Sequence, residues 1–186
     1  MFSLRPVRDE DLPLILEWRN SPSVREKMFT THVITPEEHD AHFARIQDDP
    51  TRRYLLCLDE QGLPVGVVTF TDIDQATGSC EWGFYLGGTT GRGTGTKMLY
   101  GAVEYAFGEL GMRTIGAAVL GTNEASIRIH LRLGFQLEDA ELKRARLPIA
   151  STPVHHFSLT EQDWTSTWRA RVGELVRRQD EGGARG

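Results

Sequence analysis

Residues 91–97 read Gly-Arg-Gly-Thr-Gly-Thr-Lys and join an alternating apolar run, Cys80 to Leu86, to a helix-like one, Met98 to Phe107. A glycine-rich turn that opens a helix exposes unpaired backbone N–H groups beside the positive end of the helix dipole. That geometry binds phosphate. The missing Cβ atoms of Gly93 and Gly95 let the backbone, with Thr94 and Thr96, approach two linked phosphates closely, and Arg92 and Lys97 add side-chain charge. Seven of the 19 residues from Gly83 to Gly101 are glycine, more than an ordinary surface connection needs. The chemistry implied is recognition of a ligand that carries a diphosphate.

Two familiar phosphate loops do not fit. Thr96 stands between Gly95 and Lys97, which breaks the Gly-x-x-x-x-Gly-Lys-Ser/Thr spacing of a nucleoside triphosphate loop. A dinucleotide fingerprint would need a third glycine where Met98 stands. The segment resembles instead the coenzyme A pyrophosphate loop of the GNAT N-acetyltransferases, Arg/Gln-x-x-Gly-x-Gly/Ala. Arg92-Gly93-Thr94-Gly95-Thr96 meets it, with Lys97 replacing the final small residue.

A second segment, Thr122 to Phe135, carries alternating Ile127, Ile129, Leu131 and Leu133, which alone reads as a strand. The boundary residues argue for a helix: Thr122 or Asn123 as N-cap, and Gly134-Phe135 as a C′ glycine with its hydrophobic contact. It is similar to the GNAT signature Asn-x-x-Ser/Ala-x-x-x-Tyr-x-x-x-Gly-Phe, met by Asn123, Ser126, His130, Gly134 and Phe135, with histidine in place of tyrosine. The resemblance implies that Asn123 and Ser126 contact the cofactor and that His130 lies near the thioester sulfur. It also implies an α/β fold, a three-layer α/β/α sandwich on a central mixed, mostly antiparallel, splayed sheet, with acetyl-CoA as co-substrate and no metal.

Acetyl transfer to an amine needs a neutral amine, a polarised carbonyl, alignment of the two, and a proton for the leaving thiolate. By family position the backbone of Phe84, Tyr85 and Leu86 holds the pantetheine arm and polarises the carbonyl. His130 is a candidate acid, since free histidine titrates near ~6.5; the competing reading is a buried neutral histidine that only packs. Glu81 shares a strand face with Ser79, Gly83 and Tyr85 and is a candidate base, directly or through water; an exposed, solvating glutamate is the alternative. Cys57 and Cys80 lack a partnered base and read as core. The His39-x-x-His42 pair finds no third ligand, so no metal is expected.

For the acceptor, Glu17-Trp18-Arg19-Asn20, Val24-Arg25, Met28, Ile34 and His39 look similar to the N-terminal half of the pseudaminic-acid-pathway aminosugar acetyltransferases. Trp82 to Leu86 and Ile129 to Phe135 look like that subgroup too. The resemblance implies a UDP-linked 4-amino-4,6-dideoxy sugar. Trp18, Arg19, Asn20, Arg25, Met28 and His39 offer the cations, apolar surface and neutral donors that such a ligand needs. The alternatives are an acetyltransferase of protein N-termini, which would prefer an acidic groove, and a non-catalytic coenzyme A-binding module.

These residues need a scaffold, and 186 residues suffice for one domain with a sizeable core. The composition, 39% hydrophobic and 25% charged, is that of a soluble protein. No apolar run approaches a membrane span and no signal-peptide core is present. Two cysteines form no framework, which suits a cytoplasmic protein. A net charge of −5 argues against broad nucleic-acid binding, so local arginines must hold any anionic ligand. A monomer or homodimer is expected.

The patterning predicts strands at 2–7, 53–59, 64–72, 79–87, 113–120, 135–146 and 152–159. It predicts helices after Asp9 or Asp11 (Leu12, Ile15 and Leu16 on one face), from Thr35 to about Asp48, over 94–110, and at the C-terminus (Trp164, Trp168, Val172, Leu175, Val176). The domain is expected over 1–178, with 179–186 a disordered Gly-rich tail.

Overall fold

The computed structural model of the chain describes residues 2–88, 90–138 and 153–183, with side chains through Gln179. In chain order the elements are β1 (Ser3–Pro6), a 3-10 turn (Asp9–Asp11), α1 (Leu12–Asn20), α2 (Pro22–Arg25), α3 (Pro36–Ile46), β2 (Arg53–Leu58), β3 (Pro64–Asp74) and β4 (Ser79–Leu86). Then come α4 (Thr94–Gly108), β5 (Thr114–Leu120), α5 (Glu124–Leu133), β6 (Gln136–Leu137), β7 (Val154–Thr160), α6 (Glu161–Asp163), a π turn (Trp164–Trp168) and α7 (Arg169–Gly183).

The helix starts follow local chemistry. Thr35 Oγ1 accepts from the Glu38 N–H at 3.2 Å while Glu38 accepts from the Thr35 N–H at 2.9 Å, so the capping box forms at α3. Arg5 grips Asp11 with two nitrogens at 2.7 and 2.8 Å, and the Arg8 N–H adds a third bond. That set ties the entry of α1 to β1 and holds the Asp11 carboxyl below its usual range.

One seven-stranded sheet, in the order β1-β2-β3-β4-β5-β7-β6, carries the fold. Every neighbouring pair is antiparallel except β4–β5. Alternating side chains feed opposite faces. Leu55, Cys57, Val68, Phe70 and Trp82 meet α4, whose Met98, Leu99, Ala102, Val103 and Ala106 are fully buried. Leu56 and Val67 meet Ile15 and Trp18 of α1, with Phe43 and Tyr85 at the margin. Helices on both faces make the expected three layers, and each large apolar side chain buried contributes about 1.5–3 kcal/mol.

Two expectations change. Of the predicted 135–146 strand the described residues reach Glu138, with Gln136–Leu137 in strand; 139–152 lie outside them. The C-terminal helix runs past the boundary drawn at 178, to Gly183, with Glu174 pairing both Arg177 and Arg178 on its surface. Residues 184–186 lie outside the described part. Among the described residues no helix is long and apolar enough to cross a membrane.

Candidate active site

The centre of the sheet is split. β4 and β5 pair only at Ser79–Thr114, Cys80–Ile115 and Glu81–Gly116, and beyond Glu81 the two strands part. The Gly87 N–H donates to the Val65 carbonyl at 2.9 Å, which fixes the alternation of the β3–β4 ladder. Gly83 and Tyr85 therefore turn their main-chain groups to β3, while Phe84 and Leu86 present theirs to the gap. The sequence reading assigned all three amides to the cofactor; Tyr85 is corrected, its amide being committed to Val67.

The loop stands at the mouth of that gap. Gly93, at φ 92°, is the N-cap of the 15-residue helix α4; this left-handed conformation suits glycine. The Thr94 N–H makes a long 3.3 Å bond to the Gly91 carbonyl, and the Lys97 N–H is taken by Gly93 at 3.1 Å. Between them the amides of Gly95 and Thr96 have no main-chain acceptor among the described residues. The Lys97 ammonium lies 5.6 Å over the Phe2 ring, so its side chain is directed to β1. Arg92 is exposed beside the loop. Two adjacent free donors at a helix N-terminus, with an arginine alongside, fit a diphosphate.

The strand-like alternation of 127–133 yields to its caps: Asn123 Oδ1 accepts from the Ser126 N–H at 3.2 Å, and Gly134 at φ 93° closes α5. Asn123 and Ser126 are thus engaged in capping their own helix. His130 is 2% exposed, among the rings of Trp82, Phe84, Phe135 and Phe157. Trp82 Nε1–H donates to His130 Nε2 at 3.1 Å, and His130 Nδ1 meets the Ser126 carbonyl at 2.7 Å. One neutral tautomer satisfies both contacts, with the proton on Nδ1. Burial pushes the imidazole down to about 4. His130 as an imidazolium acid is therefore corrected to a packed, neutral, hydrogen-bonded core histidine. Burial also pushes both cysteine thiols up to about 12, the wrong direction for a nucleophile.

On the opposite face of the sheet a cleft of about 720 Å³ opens between α1, the 28–34 segment, α3 and the middle of β4. Arg19, Met28 and His39 line it. Arg19 Nη2 holds the Thr30 carbonyl at 2.9 Å, while its Nη1 is buried with no acceptor among the described residues. His39 Nδ1 is likewise buried and unpartnered. Desolvation lowers His39 and His42 below their ordinary pKa, so both are neutral. Among the described residues Glu38 is the one carboxylate on the lining, and it already serves the capping box and His32.

Three acceptor candidates are corrected. Trp18 is core, its indole lying where a side chain on Gly87 would be. Both ends of the Asn20 amide bond Ile34, at 2.8 Å each, bracing the 28–34 segment. Arg25 Nη1 holds the Thr31 carbonyl at 2.8 Å and stands off the cleft. Sequence reasoning missed the side chain of Tyr85, whose half-buried phenol lies beside Arg19 and is pushed up in pKa, and the His42–Tyr54 pair at 3.2 Å. The available signal was the shared face of Glu81, Gly83 and Tyr85. Glu81 rests on that face with its carboxylate against Gly116, in the space a Cβ there would fill. A larger groove of about 1450 Å³ beyond α3 shares no residue with β4, the loop or α5.

The parallel β4–β5 pair opens after three residues, and the glycine-rich start of α4 follows directly from β4. The model of the acetyltransferase (GNAT) domain family matches residues 2–136, and the chain belongs to that family. It is an N-acetyltransferase of the GNAT type, a family that uses acetyl-CoA. It is 27% identical over 135 residues to the acetyltransferase PseH of Campylobacter jejuni, covering 73% of this chain and 83% of the relative. The crystal structure of C. jejuni PseH with acetyl coenzyme A superposes at TM-score 0.64 and 21% identity, covering 87% and 99% of the two chains. Spermidine N-acetyltransferase from Vibrio cholerae, in complex with CoA and spermine, superposes at 0.77 and 18% identity, covering 88% and 98%. The structural likenesses speak for the fold.

Proposed function

We propose that the chain acetylates the amine of an anionic small molecule, a nucleotide-linked amino-deoxy sugar of the UDP-4-amino-4,6-dideoxy-N-acetyl-altrosamine kind, by direct transfer in a ternary complex. One observation carries the reading: the unpartnered, buried Nη1 of Arg19 in a cleft whose lining holds a single, already engaged carboxylate. A buried guanidinium donor without an acceptor is costly, and a phosphate or sugar oxygen satisfies it. A polyamine would bring further positive charge to Arg19 and Arg45 instead. The likeness to PseH supports the same acceptor class.

The cofactor supplies an activated acetyl thioester. The amides of Gly95 and Thr96 bind its diphosphate, and the main-chain groups of Phe84 and Leu86 line up its arm in the gap. Glu81, on the cleft face of β4, takes the amine proton directly or through one water. With His130 neutral and enclosed, no imidazolium serves the sulfur.

Coenzyme A release by purified protein tests the reading, with UDP-4-amino sugars set against spermidine and Ser- or Ala-ended peptides. The nucleotide sugar should give the highest kcat/KM, and Arg19→Met should raise its KM roughly tenfold while acetyl-CoA affinity stays the same. Preferred turnover of spermidine would overturn the acceptor assignment.

A further inference from the structure

The C-terminal helix lies wholly beyond residues 2–136, the stretch that the family model matches. It runs antiparallel to α4. Trp164 Nε1–H and Arg169 both bond Glu104, Gly173 lies against the Tyr100 ring, and Gln179 reaches Gly93. Four and then six residues along α7 match four and then seven back along α4, and at about 1.5 Å per residue the two advances agree. Trp168 packs on Gly134 at the end of α5, and Val172 is fully buried, so the near end of α7 is fastened. The far end therefore arrives at the phosphate loop by register.

There Gln179 makes close contact. A Cβ on Gly93 would stand 2.5 Å from Gln179 Oε1, and that oxygen is buried without a hydrogen-bond donor among the described residues. An amide at the start of a helix whose next free groups are the N–H donors of Gly95 and Thr96 adds one more polar group to the same spot. A half-turn of the terminal amide exchanges Oε1 for Nε2, which brings two N–H donors to the loop.

We infer that Gln179 is a cofactor-binding residue: its Nε2 donates to the diphosphate held by the 91–97 loop, so that α7 forms a wall of the acetyl-CoA site. The inference rests on the assignment of that loop to the cofactor's diphosphate. In that orientation the Nε2 donors of Gln179 find acceptors in the phosphate oxygens.

Calorimetry with coenzyme A, without any acceptor, reads this directly. Gln179→Ala should weaken binding roughly tenfold, and Gln179→Glu more, because it replaces the donors with a negative charge. S-acetylpantetheine, which has the thioester arm and no diphosphate, separates binding from structure: Gln179→Ala should turn it over with the wild-type kcat/KM. Unchanged coenzyme A affinity in Gln179→Ala overturns the inference, and so does an equal loss with S-acetylpantetheine, the mark of a merely structural role. Tighter binding in Gln179→Ala overturns it in favour of a latch that covers the loop. Wild-type protein that ignores coenzyme A overturns the loop assignment itself.

Discussion

His130 shows how far a motif position can differ from the role that its family suggests. The signature put an ionisable group at the sulfur, but the rings of Trp82, Phe84, Phe135 and Phe157 come from elements distant in sequence. Only folding reveals that they exclude water from the imidazole. A histidine held at about 4 takes up its proton first in the unfolded chain, whose value is near ~6.5. Stability is therefore full above pH 6.5 and declines as pH falls towards 4, by on the order of 3 kcal/mol for this group. His130→Gln, which keeps an acceptor for Trp82 and has nothing to titrate, should show a shallower acid decline in denaturant midpoints. Equal slopes in the two proteins would mean that other groups set the acid limb. Glu81 is a different case: as the base it should cost kcat, with Glu81→Gln lowering kcat roughly a hundredfold and leaving acetyl-CoA affinity intact.

Among the elements, those with strong terminal chemistry were legible. The Thr35–Glu38 box and the Asn123 and Gly134 caps located α3 and α5, the latter against a strand-like alternation. The glycine-rich opening of α4 was legible as well, because its spacing is contained within seven residues. The candidate acceptor residues divide. Arg19, Met28 and His39 converge, whereas Trp18 and Asn20, their neighbours on α1, are spent on Gly87 and Ile34, partners that no local pattern names. Contact between α7 and the loop depends on an interhelical register and leaves no trace in either segment alone. Two measurements belong at this scale. Gly87→Ala places a methyl inside the Trp18 ring, and thermal denaturation should fall by roughly 5 °C or more. Arg92→Ala removes an exposed cation beside the loop and should weaken coenzyme A binding several-fold in calorimetry, with stability unchanged.

Across the whole molecule, charge and function are separated. The chain carries a net −5, yet its two proposed ligand sites gather Arg92 on one side of the sheet and Arg19 and Arg45 on the other. Encounter with an anionic acceptor gains little from the overall field, so kcat/KM for the proposed nucleotide sugar should change only modestly between low and physiological salt. The parting of β4 from β5 has a broader consequence. A seven-stranded sheet whose middle seam is stitched at three residues behaves as two smaller sheets sharing a hinge. Deuterium labelling should find the Phe84 and Leu86 amides, geometrically central, exchanging at the pace of a frayed margin while the Val67 and Val68 amides next door stay protected. Occupancy of the seam by the thioester arm would then slow those two sites and knit the halves into one cooperative unit, so that substrate itself completes the architecture.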